Sequence, residues 1–193
     1  GQGFIGATPE TLLESNGGEL TLDTLAGQAA AGRGAELLQS DKDLREPLAV
    51  VRGIRESIAP FVTRTEIPDA PVIKALANVE HLYTPVRATL KPGVRALDVA
   101  RALHPTPAVS GTPKQFSTAW LRQHEGFARG WYAGAVGTIG SRGVPLAVAL
   151  RSGLLDGARA RLFVGAGVVQ GSTADAEWNE TERKSWAVLG GAR

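Results

Sequence analysis

Two regimes of hydrophobic spacing divide this chain: short apolar runs punctuated by glycine, and longer stretches in which apolar residues return every three or four positions. Gly3-Phe-Ile-Gly-Ala7 predicts a short buried strand that emerges at Thr8-Pro9-Glu10. Leu12 and Leu13, the turn Asn16-Gly-Gly18, and then Leu20 and Leu22 predict a hairpin, because Asn-Gly supplies the left-handed backbone that a tight turn requires. A loop is expected over 25–34. From 35 to about 59 the spacing becomes helical, with Leu44, Leu48, Val51, Ile54 and Ile58 on one stripe. Ser40 with Asp41 offers an N-cap there, and Pro47, which removes a backbone donor, predicts a later helix start or a bend.

Strands are expected over 61–67 and over 79–90, the second rich in β-branched and aromatic residues and closed by Pro92-Gly93. A short helix over 98–103 ends at His104-Pro-Thr-Pro107, and Thr112-Pro113 predicts the start of a helix reaching about 123. Runs over 131–139, 144–152 and 159–169, joined by glycine-containing turns, predict a three-stranded antiparallel meander, followed by a last helix. The pattern as a whole is α+β, with antiparallel β-sheet layers and helices packed outside.

The closing strand-loop-helix stretch concentrates the most chemistry. In Arg161-Leu-Phe-Val-Gly165-Ala-Gly167-Val-Val169, the glycines let a ligand approach the main chain because no Cβ intervenes. On the helix that follows, Glu177, Glu180 and Lys184 share one face. That face suits an anion or a divalent ion, but on these residues alone an ordinary solvated i,i+4 pair of Glu180 with Lys184, worth a few tenths of a kcal/mol, is the favoured reading.

Composition narrows the function classes. The 193 residues are 43% hydrophobic and 21% charged, with no apolar run long enough to span a membrane and no secretory signal stretch. A formal charge of +2 with dispersed Lys and Arg argues against nucleic acid. There is no cysteine, so neither disulfides nor thiolate chemistry enter, and a cytoplasmic setting is expected. There is no methionine either, so Gly1 is not a translation start, and processing or truncation is expected. No zinc spacing, phosphate-binding loop, dinucleotide fingerprint or Ser-His-Asp arrangement is present. Glu10, Glu46, His81 and Arg151 each admit a bland reading as turn, helix, strand or surface residues. Two carboxylates on facing helices, Glu46 and Glu180, suit Mg²⁺, which keeps its waters and takes one or two protein oxygens beside a substrate oxygen.

Ordered motifs carry a resemblance that spacing alone does not. Phe4-Ile-Gly-Ala-Thr-Pro-Glu10, Leu25-Ala-Gly27, Ser40-Asp-Lys-Asp43 with Glu46, Leu103-His-Pro-Thr-Pro-Ala-Val-Ser-Gly111-Thr-Pro, Tyr132-Ala-Gly-Ala-Val-Gly137, Arg151, Gly165-Ala-Gly-Val-Val169, and Glu177-Trp-Asn-Glu-Thr181 with Lys184 span nearly the whole chain. Together they resemble the chorismate-utilising enzymes, which include isochorismate synthases, salicylate synthases and the anthranilate and aminodeoxychorismate synthase components. His104-Pro-Thr-Pro-Ala-Val109 is similar to the isochorismate synthase version. Gln28-Ala-Ala-Ala-Gly32 stands where aminating members carry an Arg-Pro-Arg-Gly run.

The resemblance implies the aminodeoxychorismate synthase fold, with residues 1–193 forming the C-terminal part of one chorismate-binding domain. It also implies a Mg²⁺-dependent isomerase (a hydroxymutase) serving menaquinone or siderophore biosynthesis. By the same resemblance Glu10 is the general acid, Glu46 and Glu180 are metal ligands, and Glu177 is a further ligand or stands just behind them. Gly27, His81 and Ala108 line the ring, while Arg151, Gly165, Ala166, Gly167 and Lys184 grip substrate carboxylates. Pro47 stands where the family usually has His, and Thr138 where it has Trp. The family's general base, a lysine upstream of the Phe-Ile-Gly-Ala run, is expected in an N-terminal half that acts as partner. A salicylate synthase, an aminating relative, and an inactive fragment that acts only by binding are the alternatives.

Overall fold

The computed structural model describes residues 1–39, 41–75 and 79–189. The chain forms two compact units, the first comprising Gly1–Glu10, His104–Val136 and Ala147–Arg193, the second Thr11–Leu103 and Gly137–Leu146.

In the second unit the expected hairpin forms from β1′s successors in sequence: with β1 at Gln2–Gly6, the hairpin strands are β2 (Thr11–Asn16) and β3 (Glu19–Ala30). Its turn places Gly17 and Gly18 at φ 59° and 88°. The strand does not stop at 25. It runs to Ala30, its register against β6 (Val79–Leu90) shifting between Ala26 and Ala29 where Gly27 takes φ 58°. Period-2 alternation gives this adjacent pair one shared buried face: Leu20, Leu22 and Thr24 of β3, and Leu82, Thr84, Val86 and Ala88 of β6, are all buried. Thr24 is accommodated there by donating from its hydroxyl to the Thr84 carbonyl at 2.9 Å.

Also antiparallel to β6 run β4 (Val62–Glu66) and β5 (Val72–Ala75), the latter a strand that the sequence pattern does not predict. With β7 (Ala135–Gly137) and β8 (Val144–Val148), the large sheet has the order β4-β6-β3-β2-β8-β7, with β5 on β6.

The expected helix at 35–59 is two helices, α1 (Gly34–Leu38) and α2 (Asp41–Ile58). The N-cap expected at Ser40 lies outside the described residues. Pro47 is fully buried within α2 while Leu48 is 54% exposed, so Pro47 takes the inward place expected of Leu48, while Ile58 is buried and Val51 and Ile54 are partly covered, as expected. Proline is an apolar residue, and at this register its ring fills a core position. The helices α2 and α3 (Ala96–Leu103) pack together, with Ile58 and Val99 inaccessible to solvent.

In the first unit, β9 (Ser152–Asp156) lies between β1 and β10 (Arg159–Phe163), antiparallel to both. The expected meander is therefore not one sheet: β7 and β8 join the large sheet, and β9 and β10 join β1. The expected third strand also ends at Phe163, six residues early. A one-turn helix α4 (Pro107–Ser110) precedes α5 (Lys114–His124), and α6 (Ala174–Leu189) closes the chain. Thr112 does not cap α5; the cap position falls on Pro113, whose carbonyl accepts from the Ser117 amide and hydroxyl. Phe163, 7% exposed, centres this unit's aromatic core, stacked on Tyr132 at 5.4 Å with Phe4 and Phe127 at 6.2 and 6.3 Å.

Candidate active site

Glu10 ends the segment that leaves β1. Its backbone is held on both sides: the amide donates to the Thr8 hydroxyl at 3.2 Å, and the carbonyl accepts from the Val148 amide at 3.0 Å. Burial pushes its carboxyl above the ordinary value, because the charged form is poorly solvated. The Thr106 hydroxyl, donating to Oε1 at the long distance of 3.4 Å, acts in the opposite direction. A carboxyl so placed keeps its proton closer to neutral pH and can give it up to a leaving oxygen. Two residues before α4's end, Ala108 is exposed.

Arg151 sits where β8's continuation turns into β9. It takes φ 45°, a left-handed conformation that costs a β-carbon-bearing residue on the order of 1–3 kcal/mol. Its carbonyl accepts from the Ala7 amide at 3.2 Å, tying it to the segment that carries Glu10. Its guanidinium is exposed and makes no ion pair among the described residues.

The loop after β10 and helix α6 come together as the sequence pattern expects. Lys184 Nζ lies 2.6 Å from Glu180 Oε1 and donates to the Gly165 carbonyl at 2.9 Å. The i,i+4 pair is thus real, and it is also anchored to the glycine loop. Both its side chains are about 35–41% exposed, so solvent screens it. The amides of Gly165, Ala166 and Gly167 have no partner among the described residues, which leaves three donors on one short stretch. On the same face of α6, one Glu177 carboxylate oxygen, Oε2, is buried without a hydrogen-bond partner. A buried carboxylate oxygen without a donor is a suitable ligand for a hard cation.

In the second unit, the bulge in β3 directs the Gly27 carbonyl to His81 Nδ1 at 2.7 Å. A carbonyl only accepts, so Nδ1 carries the hydrogen and the neutral ring presents Nε2 as an acceptor. The left-handed φ of Gly27 is what this position requires of its residue. Glu46 lies on α2, and its side chain is outside the described residues. Among the described residues no group of three or more His, Cys, Asp or Glu side chains gathers as a metal site.

Sequence reasoning assigned no role to Thr106, Glu125, Arg129 or Tyr132. Glu125 and Arg129 form a two-pronged pair at 2.6 and 2.5 Å, both side chains largely covered. The i,i+4 spacing was visible, but nothing in it distinguishes a covered pair from a surface one. The remaining guanidinium nitrogen, Nη1, donates to the Val109 carbonyl at 2.6 Å. Tyr132 fills the space beside Gly165: a Cβ there would lie 2.8 Å from the phenol oxygen. A cavity of about 820 Å³ in this unit is lined in part by His104, Ser110, Thr118, Arg129 and Tyr132, and not by Glu10, Arg151 or Lys184. Burial lowers the His104 pKa, with nearby Lys114 adding to the effect.

Antiparallel sheets flanked by helices thus carry a partly buried carboxyl at Glu10 and a glycine loop tied to Lys184 of α6. The chain belongs to the chorismate binding enzyme family, whose profile matches residues 1–190. It is 42% identical to a salicylate biosynthesis isochorismate synthase of Pseudomonas aeruginosa, over 97% of this chain and 43% of that protein. It is 38% identical to the isochorismate synthase MenF of Bacillus subtilis, over 100% of this chain and 44% of that protein. The structure of MenF, the menaquinone-specific isochorismate synthase from Escherichia coli, superposes with a TM-score of 0.87 at 29% identity, covering 97% of this chain and 45% of that one. Anthranilate synthase component I from Streptococcus pneumoniae gives the same TM-score of 0.87 at 30% identity, covering 97% and 43%. The chain spans less than half the length of these relatives. No described helix is long and apolar enough to cross a membrane.

Proposed function

We propose that the protein carrying this chain is an isochorismate synthase, interconverting chorismate and isochorismate. Water adds at C2, the ring double bonds shift, and the 4-hydroxyl leaves as water once it has taken a proton. The observation that carries this reading is Glu10: a carboxyl lifted by burial, with its backbone fixed and its side chain met by Thr106 of the His-Pro-Thr loop. Glu10 gives its proton to the departing 4-hydroxyl. A base takes one from the attacking water, a role that the family resemblance assigns to a lysine outside these 193 residues.

Substrate carboxylates fall to the cationic and amide donors of the first unit. Lys184 and Arg151 supply charge, and the amides of 165–167 supply directed hydrogen bonds. His81 Nε2 offers an acceptor to a hydroxyl. Glu177 and Glu180 would hold Mg²⁺, a role that the family resemblance also gives to Glu46, and the orphaned Glu177 oxygen fits such an ion. When bound, the metal supplies charge neutralisation to a substrate carboxylate.

Fold does not decide between water and ammonia as nucleophile, because an anthranilate synthase component superposes as well as MenF does. The sequence supports water, through His104-Pro-Thr-Pro-Ala-Val109 and through the isochorismate synthases among its relatives. Incubating the full-length protein with chorismate and MgCl₂ and separating the products by chromatography tests the reading. Isochorismate is expected; salicylate or an amino product overturns it.

A further inference from the structure

Thr106, the one side chain among the described residues that hydrogen-bonds the Glu10 carboxyl, stands at the head of a four-residue helix too short to hold itself. Its carbonyl accepts from the amides of Val109 and Ser110 and from the Ser110 hydroxyl, so its position follows that of the whole turn. The turn is tied down at two places from outside. At its leading edge Lys114 donates to the His104 carbonyl at 2.8 Å. Near its end Arg129 Nη1 donates to the Val109 carbonyl at 2.6 Å.

Arg129 is itself fixed. Its Nε and Nη2 engage both oxygens of Glu125 at 2.6 and 2.5 Å, and its guanidinium lies 5.9 Å from the centre of the Tyr132 ring. With the fork satisfied and the plane set, the two N–H bonds of Nη1 have fixed directions, and Nη1 donates to the Val109 carbonyl. Both members of the pair are about one quarter exposed, so the arrangement is held in a partly desolvated setting where a lost partner is felt.

We propose that Arg129, clamped by Glu125, is a positioning residue for the acid of this site, holding the 106–110 turn so that the Thr106 hydroxyl stays on Glu10. The proposal rests on the reading of Glu10 as general acid. Arg129 touches neither substrate nor the reacting carboxyl; it acts through the Val109 carbonyl and the turn.

The test is a kinetic cycle in the full-length protein with chorismate. Arg129→Met should lower kcat by on the order of 10²-fold, the cost of a misplaced catalytic group, while KM changes less than about twofold. Thr106→Val should lower kcat in the same sense. In the Thr106→Val background, Arg129→Met should add little further loss, because both act through one contact. Arg129→Lys should not restore kcat, since an ammonium cannot fill the fork and reach Val109 together. Should Arg129→Met fail to fold, Glu125→Gln loosens the fork while keeping the guanidinium, and the same loss of kcat is expected. Losses that multiply in the double variant, or a fall in Tm with kcat unchanged, overturn the proposal. Full kcat in Glu10→Gln overturns instead the reading on which it rests, so the two failures are distinguishable.

Discussion

Gly165 provides a sharp test of how closely the glycine loop is packed. A Cβ built at this position would lie 2.8 Å from the Tyr132 phenol oxygen, and it would meet no other atom within 4 Å beyond its neighbours. An ordinary contact begins near 3.4 Å, so either the ring or the loop must move by about 0.6 Å. The ring is not free to yield, because it is stacked on the buried Phe163 at 5.4 Å with only 17° between the planes. Overpacking of this kind costs about 1–3 kcal/mol, which for a chain of this length lowers Tm by roughly 2–12 °C. The clash involves the hydroxyl alone. That hydroxyl has no hydrogen-bond partner among the described residues, so Tyr132→Phe should itself cost little. In the Tyr132→Phe background, Gly165→Ala should therefore cost less by about 1–2 kcal/mol. Thermal unfolding of the four chains (parent, two single variants and the double) at fixed pH measures this coupling. If Gly165→Ala costs the same with and without the hydroxyl, the packing of the loop against Tyr132 is not as described.

Further expectations follow from the acid and from the carboxylates of α6. The Glu10 carboxyl is raised in the folded chain above its unfolded value of 4.5, so both states hold the proton below that pH, and the group then costs nothing. As pH rises from 4.5 through the folded value, the unfolded chain ionises first and stability falls. Glu10→Gln should accordingly raise Tm at pH 7, with the gain vanishing below about pH 4.5. The same variant of the full-length protein should lose activity by about 10²–10⁴-fold, the range for a general acid. A Tm gain independent of pH would refute the assigned burial. For the metal, calorimetric titration of the full-length protein with MgCl₂ should weaken by about ten- to a hundredfold in Glu180→Gln and in Glu177→Gln. An unchanged isotherm in either variant removes that residue from the ligand set.

Local pattern made legible what depends on local geometry. The alternation of Leu20 and Leu22 in β3, and of Leu82 and Val86 in β6, identified the strands and the face that they bury. Asn16-Gly fixed the hairpin, and the run after Val79 fixed the longest strand pair. Where the reading failed, a partner far along the chain decided the outcome. β9 joins β1 because Phe4 faces Leu154 across 150 positions of sequence, so the three runs that look like one meander divide between two sheets. Gly27 looks like the centre of a loop, since glycine amid alanines has little strand propensity; pairing with β6 carries the strand through it as a bulge. Pro47 looks like an interruption, and burial turned it into a core residue.

The same division runs through the site. Glu177, Glu180 and Lys184 share a face by helical period alone, and the sequence could place them together without a structure. It could not say what Lys184 does besides pairing with Glu180; the bond to Gly165, 19 positions back, makes the pair part of the glycine loop. Glu10 shows the limit most plainly. Its motif points to it by resemblance, but the burial that lifts its carboxyl comes from the fold, and so does Thr106, 96 residues away, whose hydroxyl opposes that shift. That hydroxyl is placed by a helix turn anchored through Arg129, a residue whose spacing from Glu125 reads in sequence as one more surface pair. Motifs therefore point to candidate residues, and the long-range contacts that tune those residues have to be read from the fold.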